Sequence, residues 1–199
     1  MKIYKDLQQR SPEWFELRKG KMTASSAQAI ANSSKGLDTY IWTLMSEYYS
    51  KGEPIRYSND DIERGIALEN EAILMFSTDK NVKVERIGFV LTDEYTGFSP
   101  DGFTGDDSTI EVKCPNDKNY FRILINGENE IDTAYLWQIQ MGLLLSGRKY
   151  CWLLFYNPNF ERDLVIFRIE ADPEKQEKIK MGIVAGRKLI DKIKKLYSK

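Results

Sequence analysis

Two acidic motifs, ten residues apart, limit the folds open to this chain more than any other feature of it. They are Ser99-Pro100-Asp101-Gly102 and Glu111-Val112-Lys113. Pro-Asp-Gly is typical of a turn, and alternate residues of a strand point to the same face of a sheet. Asp101 would then lie at the end of one strand, while Glu111 and Lys113 share a face of the next. The motifs therefore predict a strand–turn–strand unit that presents two carboxylates and one ammonium group together.

This combination of groups suits metal-dependent hydrolysis of phosphodiesters. Two carboxylates can bind a hard divalent cation such as Mg²⁺, with Mn²⁺ as a substitute, and a lysine can steer the attacking water. The Val112 side chain would point into the core, which leaves its backbone carbonyl as a candidate third ligand. Each motif alone also has an ordinary structural explanation, as a turn and as an exposed strand.

Composition excludes several other kinds of enzyme. The chain has no histidine, so Ser-His-Asp and Cys-His machinery and His-ligated zinc sites are excluded. Its two cysteines, Cys114 and Cys151, are too few for a four-cysteine zinc or iron–sulphur site. No Gly-x-x-x-x-Gly-Lys-Ser/Thr loop for nucleotide phosphates is present. Carboxylates and lysines remain as the catalytic groups.

The length of 199 residues and the apolar fraction of 42% predict one globular domain over residues 1–199. No apolar run has the length of a membrane span, and the N-terminal residues lack the apolar core of a signal peptide. We therefore expect a cytoplasmic protein without membrane contact. The net charge of −1 gives no overall attraction to nucleic acid, so any DNA contact would depend on local segregation of charge.

Hydrophobic periodicity and end signals predict helices at both ends of the chain and strands between them. The predicted helices are one that opens at Ser11-Pro12-Glu13, then Ala24–Ala31, whose small residues permit close packing, Leu37–Tyr49, about Asp60 to Thr78, Thr133–Leu145 and Pro173–Tyr197. The predicted strands are Val82–Arg86, Ile87–Thr92, Thr109–Lys113, Lys149–Tyr156 and Asp163–Ile169. This order predicts an α/β fold with a central mixed sheet flanked by helices.

Three other segments offer residues that would complete such a site. Glu69 could reach the metals from a helix, although a solvated helix acid is the ordinary alternative. Arg18 with Thr23 and Ser25 places a guanidinium and two hydroxyls around a helix start, which suits a phosphate. These residues could equally be an N-cap beside a surface arginine. Gln138 interrupts an apolar helix, where a buried amide that satisfies backbone groups is the alternative.

In their order along the chain, these motifs resemble the lambda exonuclease and YqaJ-like viral recombinase nucleases of the PD-(D/E)XK superfamily. The resemblance extends from about Trp14 to Tyr156. The matching segments are Arg18 with Thr23-Ala24-Ser25, Glu69-Asn70-Glu71-Ala72, Ser99-Pro100-Asp101-Gly102, Glu111-Val112-Lys113-Cys114-Pro115 and Gln138-Ile139-Gln140.

The resemblance implies a fold with a restriction-endonuclease-like core and a metal-dependent 5′→3′ exonuclease activity on the ends of linear double-stranded DNA. The 3′ single-stranded tail would serve a single-strand annealing protein in phage-type recombination. It also implies a homotrimer that threads DNA, encoded by a phage or prophage and located in the cytoplasm of a bacterial host.

By position, the resemblance implies roles for the residues of the central motifs. Asp101 and Glu111 would be metal ligands, together with the Val112 carbonyl. Lys113 would orient or activate the attacking water. Two further residues would complete the active site around the metal-bound water, namely Glu69 and Gln138.

The resemblance also implies a pocket for the 5′ phosphate of the DNA. It would consist of Arg18, Ser25 and Ser99. Two other positions match less securely. Asp93 corresponds to another acidic position of the family, but its spacing to Asp101 differs from the family's. Ile62 occupies the place where a member of the family could insert an apolar wedge, but it lies between two acidic residues, where simple packing is the alternative.

Two other functions fit the same residues. A sequence-specific or structure-specific endonuclease of the same superfamily would share the metal residues but would not need the phosphate pocket. A catalytically silent DNA-end-binding module would commonly have lost at least one of Asp101, Glu111 and Lys113, and all three are present. Relatives that use a cysteine cluster match less well, since this chain has only two cysteines.

Overall fold

The computed structural model describes residues 1–32, 35–52 and 60–199, and the side chains of residues 60–63 and 66 lie outside that description. The position of Ile62, considered as an apolar wedge, therefore falls outside the described side chains. No helix in the described ranges is long and apolar enough to cross a membrane.

Along the sequence, most of the strands lie between helices near the two ends of the chain. The helices are α1 (Pro12–Arg18), α2 (Ala27–Ala31), α3 (Lys35–Tyr49), α4 (Asp60–Lys80), α5 (Asp117–Asn126), α6 (Thr133–Ser146) and α7 (Pro173–Tyr197), with short 3₁₀ segments at Ala24–Ser26 and Gly127–Glu130. The strands are β1 (Lys2–Tyr4), β2 (Met22–Thr23), β3 (Phe89–Leu91), β4 (Thr96–Phe98), β5 (Gly102–Thr104), β6 (Ser108–Lys113), β7 (Tyr150–Tyr156) and β8 (Leu164–Glu170).

The strands form two mixed sheets flanked by helices, which confirms the predicted fold class. One sheet has the order β1-β3-β4-β2 and the other β5-β6-β7-β8. Within each sheet one neighbouring pair is parallel, β2 with β4 and β6 with β7. The sequence predicted one central sheet, whereas the structure has two. The chain passes from one sheet to the other at Ser99-Pro100-Asp101. The pyrrolidine of Pro100 offers no N–H to continue a ladder there.

Strand β7 is one of the two inner strands of the second sheet and is covered on both faces. Leu153 and Phe155 point toward α5 and α6, whereas Leu154 and Tyr156 point toward α4. A strand that is covered on both faces reads as a continuous apolar run, which is why its position could be predicted. Because Glu111 is paired with Leu153 in the parallel register, its side chain lies on the α6 face.

The predicted strand Val82–Arg86 is wrong. Only Glu85 pairs with another strand, through an isolated antiparallel bridge to Phe103. The alternation that suggested a strand comes from Val82 and Val84, which pack beside the cluster under α4 rather than in a ladder. Sequence patterns also missed the strands β1, β2, β4 and β5, which have only two or three residues each, and the ten-residue helix α5.

Helices α2 and α7 approach each other so closely that only glycine fits at one point of contact. A Cβ atom at Gly182 would overlap the backbone carbonyl of Ile30. The small residues predicted for Ala24–Ala31 are part of this packing, since Ala27, Ile30 and Ala31 are buried there.

We predict that Gly182→Ala destabilises the protein by about 2 kcal/mol or more, because the new methyl group meets backbone that cannot rotate away. Gly142→Ala is the matched control. Its methyl group would lie 3.5 Å from the Phe98 ring, an ordinary contact, and would gain helix propensity of about 0.5–1 kcal/mol. Urea unfolding of the two variants measures both effects, and equal stability of the variants would contradict the close approach.

Candidate active site

An open cleft of about 1010 Å³ brings the predicted site residues together. Its walls come from the segment before α1, from parts of α1, α4, α6 and strand β6, and from the loops that follow β2 and β4 and precede β3. All nine residues proposed from the sequence line it, namely Arg18, Ser25, Glu69, Ser99, Asp101, Glu111, Val112, Lys113 and Gln138. Residues from five separate segments of the chain therefore share one solvent-accessible space.

At the end of β6, the carboxylate of Asp101 takes the hydrogen bond that a neighbouring strand would otherwise accept. Strand β5 begins only at Gly102, which is paired with Ile110, so the next part of β6 has no strand partner on that side. The backbone N–H of Val112 instead donates to Oδ2 of Asp101 at 2.6 Å. In a strand, the N–H and C=O of one residue point to the same side. The Val112 carbonyl is therefore directed toward Asp101, as expected for the proposed third ligand.

Glu111 is the centre of a buried polar cluster. Its Oε1 atom accepts hydrogen bonds from Nζ of Lys113 at 2.7 Å and from Nε2 of Gln138 at 2.5 Å. The glutamine that interrupts α6 thus serves the site rather than only the backbone. Asp101 and Glu111 are each only 8% exposed.

Lys113 is held between a carboxylate and an aromatic ring. Its ammonium group lies 4.5 Å from the ring centre of Tyr135, a residue that sequence patterns gave no reason to include. Burial by itself lowers the pKa of Lys113, but the charge of Glu111 and the hydrogen bond to it outweigh burial and raise the pKa. Lys113 therefore carries a proton at neutral pH and can donate hydrogen bonds to an anion or a water.

The charge balance of the cleft is unfavourable for Asp101. Burial raises its pKa, and the charges of Glu111 and Glu69 raise it further against the smaller opposing effect of Lys113. Two buried carboxylates that repel each other in this way are stabilised by a cation between them.

The donor set fits a hard divalent cation. Among the residues that the structure describes, no three His, Cys, Asp or Glu side chains form a ready metal cluster. Mg²⁺ commonly takes only one or two carboxylates and keeps several waters, so Asp101, Glu111 and the Val112 carbonyl meet its needs. All three groups are oxygen donors, which favour Mg²⁺ or Mn²⁺ over softer metals.

Glu69 enters the cleft from α4 and forms an ion pair with Arg86. Arg86 lies in the segment that was predicted to be a strand, so the sequence gave no hint of this contact. The pair leaves Glu69 partly exposed beside the two central carboxylates, where it contributes to the raised pKa of Asp101.

Arg18 lies at the other end of the cleft, in a pocket of polar donors. Its guanidinium stacks 4.1 Å from the ring centre of Trp14 and donates to the hydroxyls of Thr23 at 3.1 Å and Ser25 at 3.2 Å. Burial lowers the pKa of Arg18 to about 10, which still leaves it charged at neutral pH. A charged guanidinium with two hydroxyls beside it is well suited to a phosphate.

Trp14 connects this pocket to the carboxylates. Its indole Nε1 donates to the hydroxyl of Ser99 at 2.8 Å and to the carbonyl of Gly88 at 3.1 Å. Because the indole can only donate, Ser99 accepts this bond and keeps its own proton for a ligand. Ser99 precedes Asp101 by two residues, so the two ends of the cleft are joined through a single short segment.

Asp93 has a structural role in a turn. Its Oδ1 atom accepts from the backbone N–H groups of Tyr95 at 2.8 Å and Thr96 at 2.9 Å, and its other oxygen pairs with Arg187 of α7. The carboxylate thus closes the turn between β3 and β4 and ties it to α7. It does not line the cleft.

Comparisons with known proteins bear on the family and the fold of the chain. The model of the YqaJ-like viral recombinase domain matches residues 13–149. The fold is similar to that of an alkaline exonuclease, LHK-Exo, from Laribacter hongkongensis, with a TM-score of 0.80 and 25% identity over 94% of this chain and 98% of that chain. The same enzyme in complex with dAMP gives a TM-score of 0.82 and 26% identity over the same shares.

A phage-related exonuclease from Haemophilus somnus also shares the fold. It has a TM-score of 0.72 and 15% identity over 92% of this chain and 98% of that chain. No curated protein sequence matches the chain.

We predict that Asp101→Asn stabilises the metal-free protein on the order of 1 kcal/mol at neutral pH, a rise of about 2–4 °C in Tm. The folded-state pKa of Asp101 is raised above its unfolded value, so its ionised form destabilises the fold at higher pH. Asparagine removes that charge and can still accept from the N–H of Val112. Thermal unfolding in a chelator measures the change.

The same variant tests cation binding without any measurement of activity. Mg²⁺ should raise the Tm of the wild-type protein, because a ligand that binds only the folded state stabilises it, and should not raise the Tm of Asp101→Asn. Asp106→Asn, at an exposed turn, is the control and should behave as wild type. A Tm response to Mg²⁺ that is unchanged by Asp101→Asn would count against these ligands.

Proposed function

Because the chain belongs to the YqaJ-like viral recombinase family, we propose that this nuclease of phage recombination is a metal-dependent 5′→3′ exonuclease on linear double-stranded DNA. One observation carries the proposal. The pocket of polar donors around Arg18 is joined through Trp14 and Ser99 to the segment that carries Asp101. A DNA end held in that pocket would have a phosphodiester close to the buried carboxylates.

In this proposal, the residues of the cleft have separate roles in phosphodiester hydrolysis. Asp101, Glu111 and the Val112 carbonyl would hold Mg²⁺ or Mn²⁺. A bound divalent cation polarises the phosphoryl oxygens and makes water a stronger nucleophile. Lys113, fixed by Glu111 and the Tyr135 ring, would orient the attacking water and stabilise developing negative charge.

Two other side chains position these groups. Gln138 donates to Glu111 and so fixes the carboxylate that holds Lys113. Glu69 would accept hydrogen bonds from water near the metals, beside its ion pair with Arg86. Both residues approach from helices, α6 and α4, which gives them a rigid support.

The 5′ direction of the proposal depends on the pocket around Arg18. The guanidinium of Arg18, with the hydroxyls of Ser25 and Ser99, offers charged and neutral donors to a terminal phosphate dianion. LHK-Exo has been crystallised with dAMP, a nucleoside monophosphate of the kind that exonuclease action releases. A pocket for a terminal phosphate is what an enzyme needs to begin at an end.

The proposal includes the biological setting implied by the family resemblance. The 3′ tail would pass to a single-strand annealing protein, and a homotrimer would enclose the DNA. Such a channel needs only local positive charge, which is compatible with a net charge of −1. The enzyme would act in the cytoplasm of a bacterium that carries the phage or prophage.

We predict that the protein, with Mg²⁺, degrades linear duplex labelled at its ends and leaves closed-circular duplex intact. Cleavage must begin at an end if the terminal phosphate is bound first. Gel analysis of label release from the 5′ and 3′ ends measures both the requirement for an end and the direction. Cutting of the circle would indicate an endonuclease of the same superfamily, and cutting of neither substrate would indicate a silent DNA-end-binding module.

Lys113→Ala is the catalytic control for this digestion. It should lower the rate by about 100-fold or more, because it removes the group that orients water, and should leave DNA binding largely intact. Lys118→Ala, an exposed lysine at the start of α5, should cleave as wild type. Wild-type rates in Lys113→Ala would remove this residue from the mechanism.

We predict that a 5′-phosphorylated linear duplex is degraded on the order of tenfold faster than the same duplex with a 5′ hydroxyl. Arg18→Ala should abolish this preference, since the charged donor for the terminal phosphate is lost. Initial rates on the two substrates measure the ratio, and circular dichroism checks that the variant is folded. Equal wild-type rates on both ends would contradict the pocket assignment.

A further inference from the structure

Arg10 is a cation on the wall of the cleft that the proposed mechanism does not use. It is exposed, and it lines the same space as Asp101, Glu111 and Lys113. It directly precedes Ser11, whose side chain caps α1. No sequence motif had drawn attention to it.

The backbone of Arg10 adopts a conformation that its side chain disfavours. Its φ angle is +68°, in the left-handed region where a Cβ atom crowds the following carbonyl. Glycine would adopt this conformation without that strain. In the described part of the chain, the other non-glycine residue with positive φ is Asn81, a type that tolerates the left-handed region well. An arginine at a glycine-type position is an outlier of the kind that clusters at ligand-binding sites.

The segment around Arg10 is fixed firmly to the cleft wall. The Gln9 side chain donates to the carbonyls of Ile87 and Pro100, both at 3.0 Å. A Cβ atom at Gly88 would overlap the carbonyl of Leu7, so the two backbones pack in direct contact there. Pro100 directly precedes Asp101, and Arg10 is therefore held in place by the same short segment that positions the carboxylate.

In the part of the chain that the structure describes, Arg10 differs from the other basic residues of the cleft in having no hydrogen-bond or ion-pair partner. Lys5, Arg86 and Lys113 each form an ion pair with a carboxylate, and Arg18 donates to two hydroxyls. Within residues 1–32, 35–52 and 60–199, Arg10 makes no ion pair and no side-chain hydrogen bond. An unpaired guanidinium on a loop that Gln9 anchors, facing a cleft with buried carboxylates, is suited to an anionic ligand from outside the protein.

We infer that Arg10 binds an internal phosphodiester of the DNA strand that occupies the cleft, separate from the terminal phosphate assigned to Arg18. This inference rests on the proposed function, since it requires DNA in the cleft. Arg10 lies outside the chain of contacts in which Arg18 stacks on Trp14 and Trp14 donates to Ser99, so it supplies a second point of attachment. Two attachments would fix the direction of the strand across the carboxylates.

The test is equilibrium binding of a fluorescent linear duplex in the Lys113→Ala background with Mg²⁺, over a series of salt concentrations. Arg10→Gly and Arg10→Ala should each weaken binding on the order of tenfold at low salt and reduce the salt slope by about 1. Arg10→Lys should retain most of the affinity. The loss should be the same for 5′-phosphate and 5′-hydroxyl ends, whereas the effect of Arg18→Ala should require the phosphate.

Two control variants separate charge from folding. Arg162→Ala removes an exposed positive charge that does not line the cleft, and should leave affinity unchanged. Asn81→Gly relaxes the other left-handed residue, and should bind DNA as its parent does. Arg10→Gly should melt at or above the temperature of its parent, because glycine relieves backbone strain. A lower melting temperature for Arg10→Gly would indicate a structural role and overturn the inference.

The remaining outcomes distinguish the inference from the proposed function. Unchanged affinity and salt slope in Arg10→Gly, with DNA bound by its parent and cleaved by the wild type, would overturn the inference alone. A loss seen only with 5′-phosphate ends would place Arg10 in the terminal pocket and would also overturn it. A wild-type protein that neither binds nor cleaves linear duplex would overturn the proposed function, and the inference with it.

Discussion

The site depends on the hydrogen bond from the backbone N–H of Val112 to the carboxylate of Asp101. It exists because β5 begins one residue after Asp101, so the end of β6 lacks a strand neighbour on that side. A buried N–H without a partner would destabilise the fold, and the carboxylate supplies that partner. The same arrangement directs the Val112 carbonyl toward Asp101. A local requirement of the sheet thus positions two of the proposed oxygen ligands together, the Asp101 carboxylate and the Val112 carbonyl.

The buried carboxylates that would bind a metal also destabilise the folded protein. Burial and the neighbouring Glu111 and Glu69 raise the pKa of Asp101, so the ionised form is held at a cost to the fold. Internal cations offset part of this charge, since Lys113 pairs with Glu111 and Arg86 with Glu69. A bound divalent cation would offset the rest. Lys113 and the proposed metal ligands are therefore parts of one electrostatic unit.

Sequence patterns were most successful where burial was complete. Strand β7 and most of β6 and β8 were predicted because continuous or alternating apolar residues show a strand that faces packed helices. The segment Val82–Arg86 has the same alternation but packs its valines without a ladder, so its prediction as a strand failed. Trp14, Tyr135, Arg86 and Arg10 were missed as members of the cleft, because their contacts join residues far apart in the chain.

The sequence by itself determined which chemical groups the candidate site could offer, namely carboxylates, a lysine and an arginine, without histidine or a four-cysteine cluster. Spacing alone placed Glu111 and Lys113 on one face, since a strand alternates its side chains. Only the tertiary structure decided that five distant segments would share one cleft and that Trp14 would join Arg18 to Ser99. Such contacts depend on how helices and sheets pack, and the periodicity of a single element carries no information about that packing.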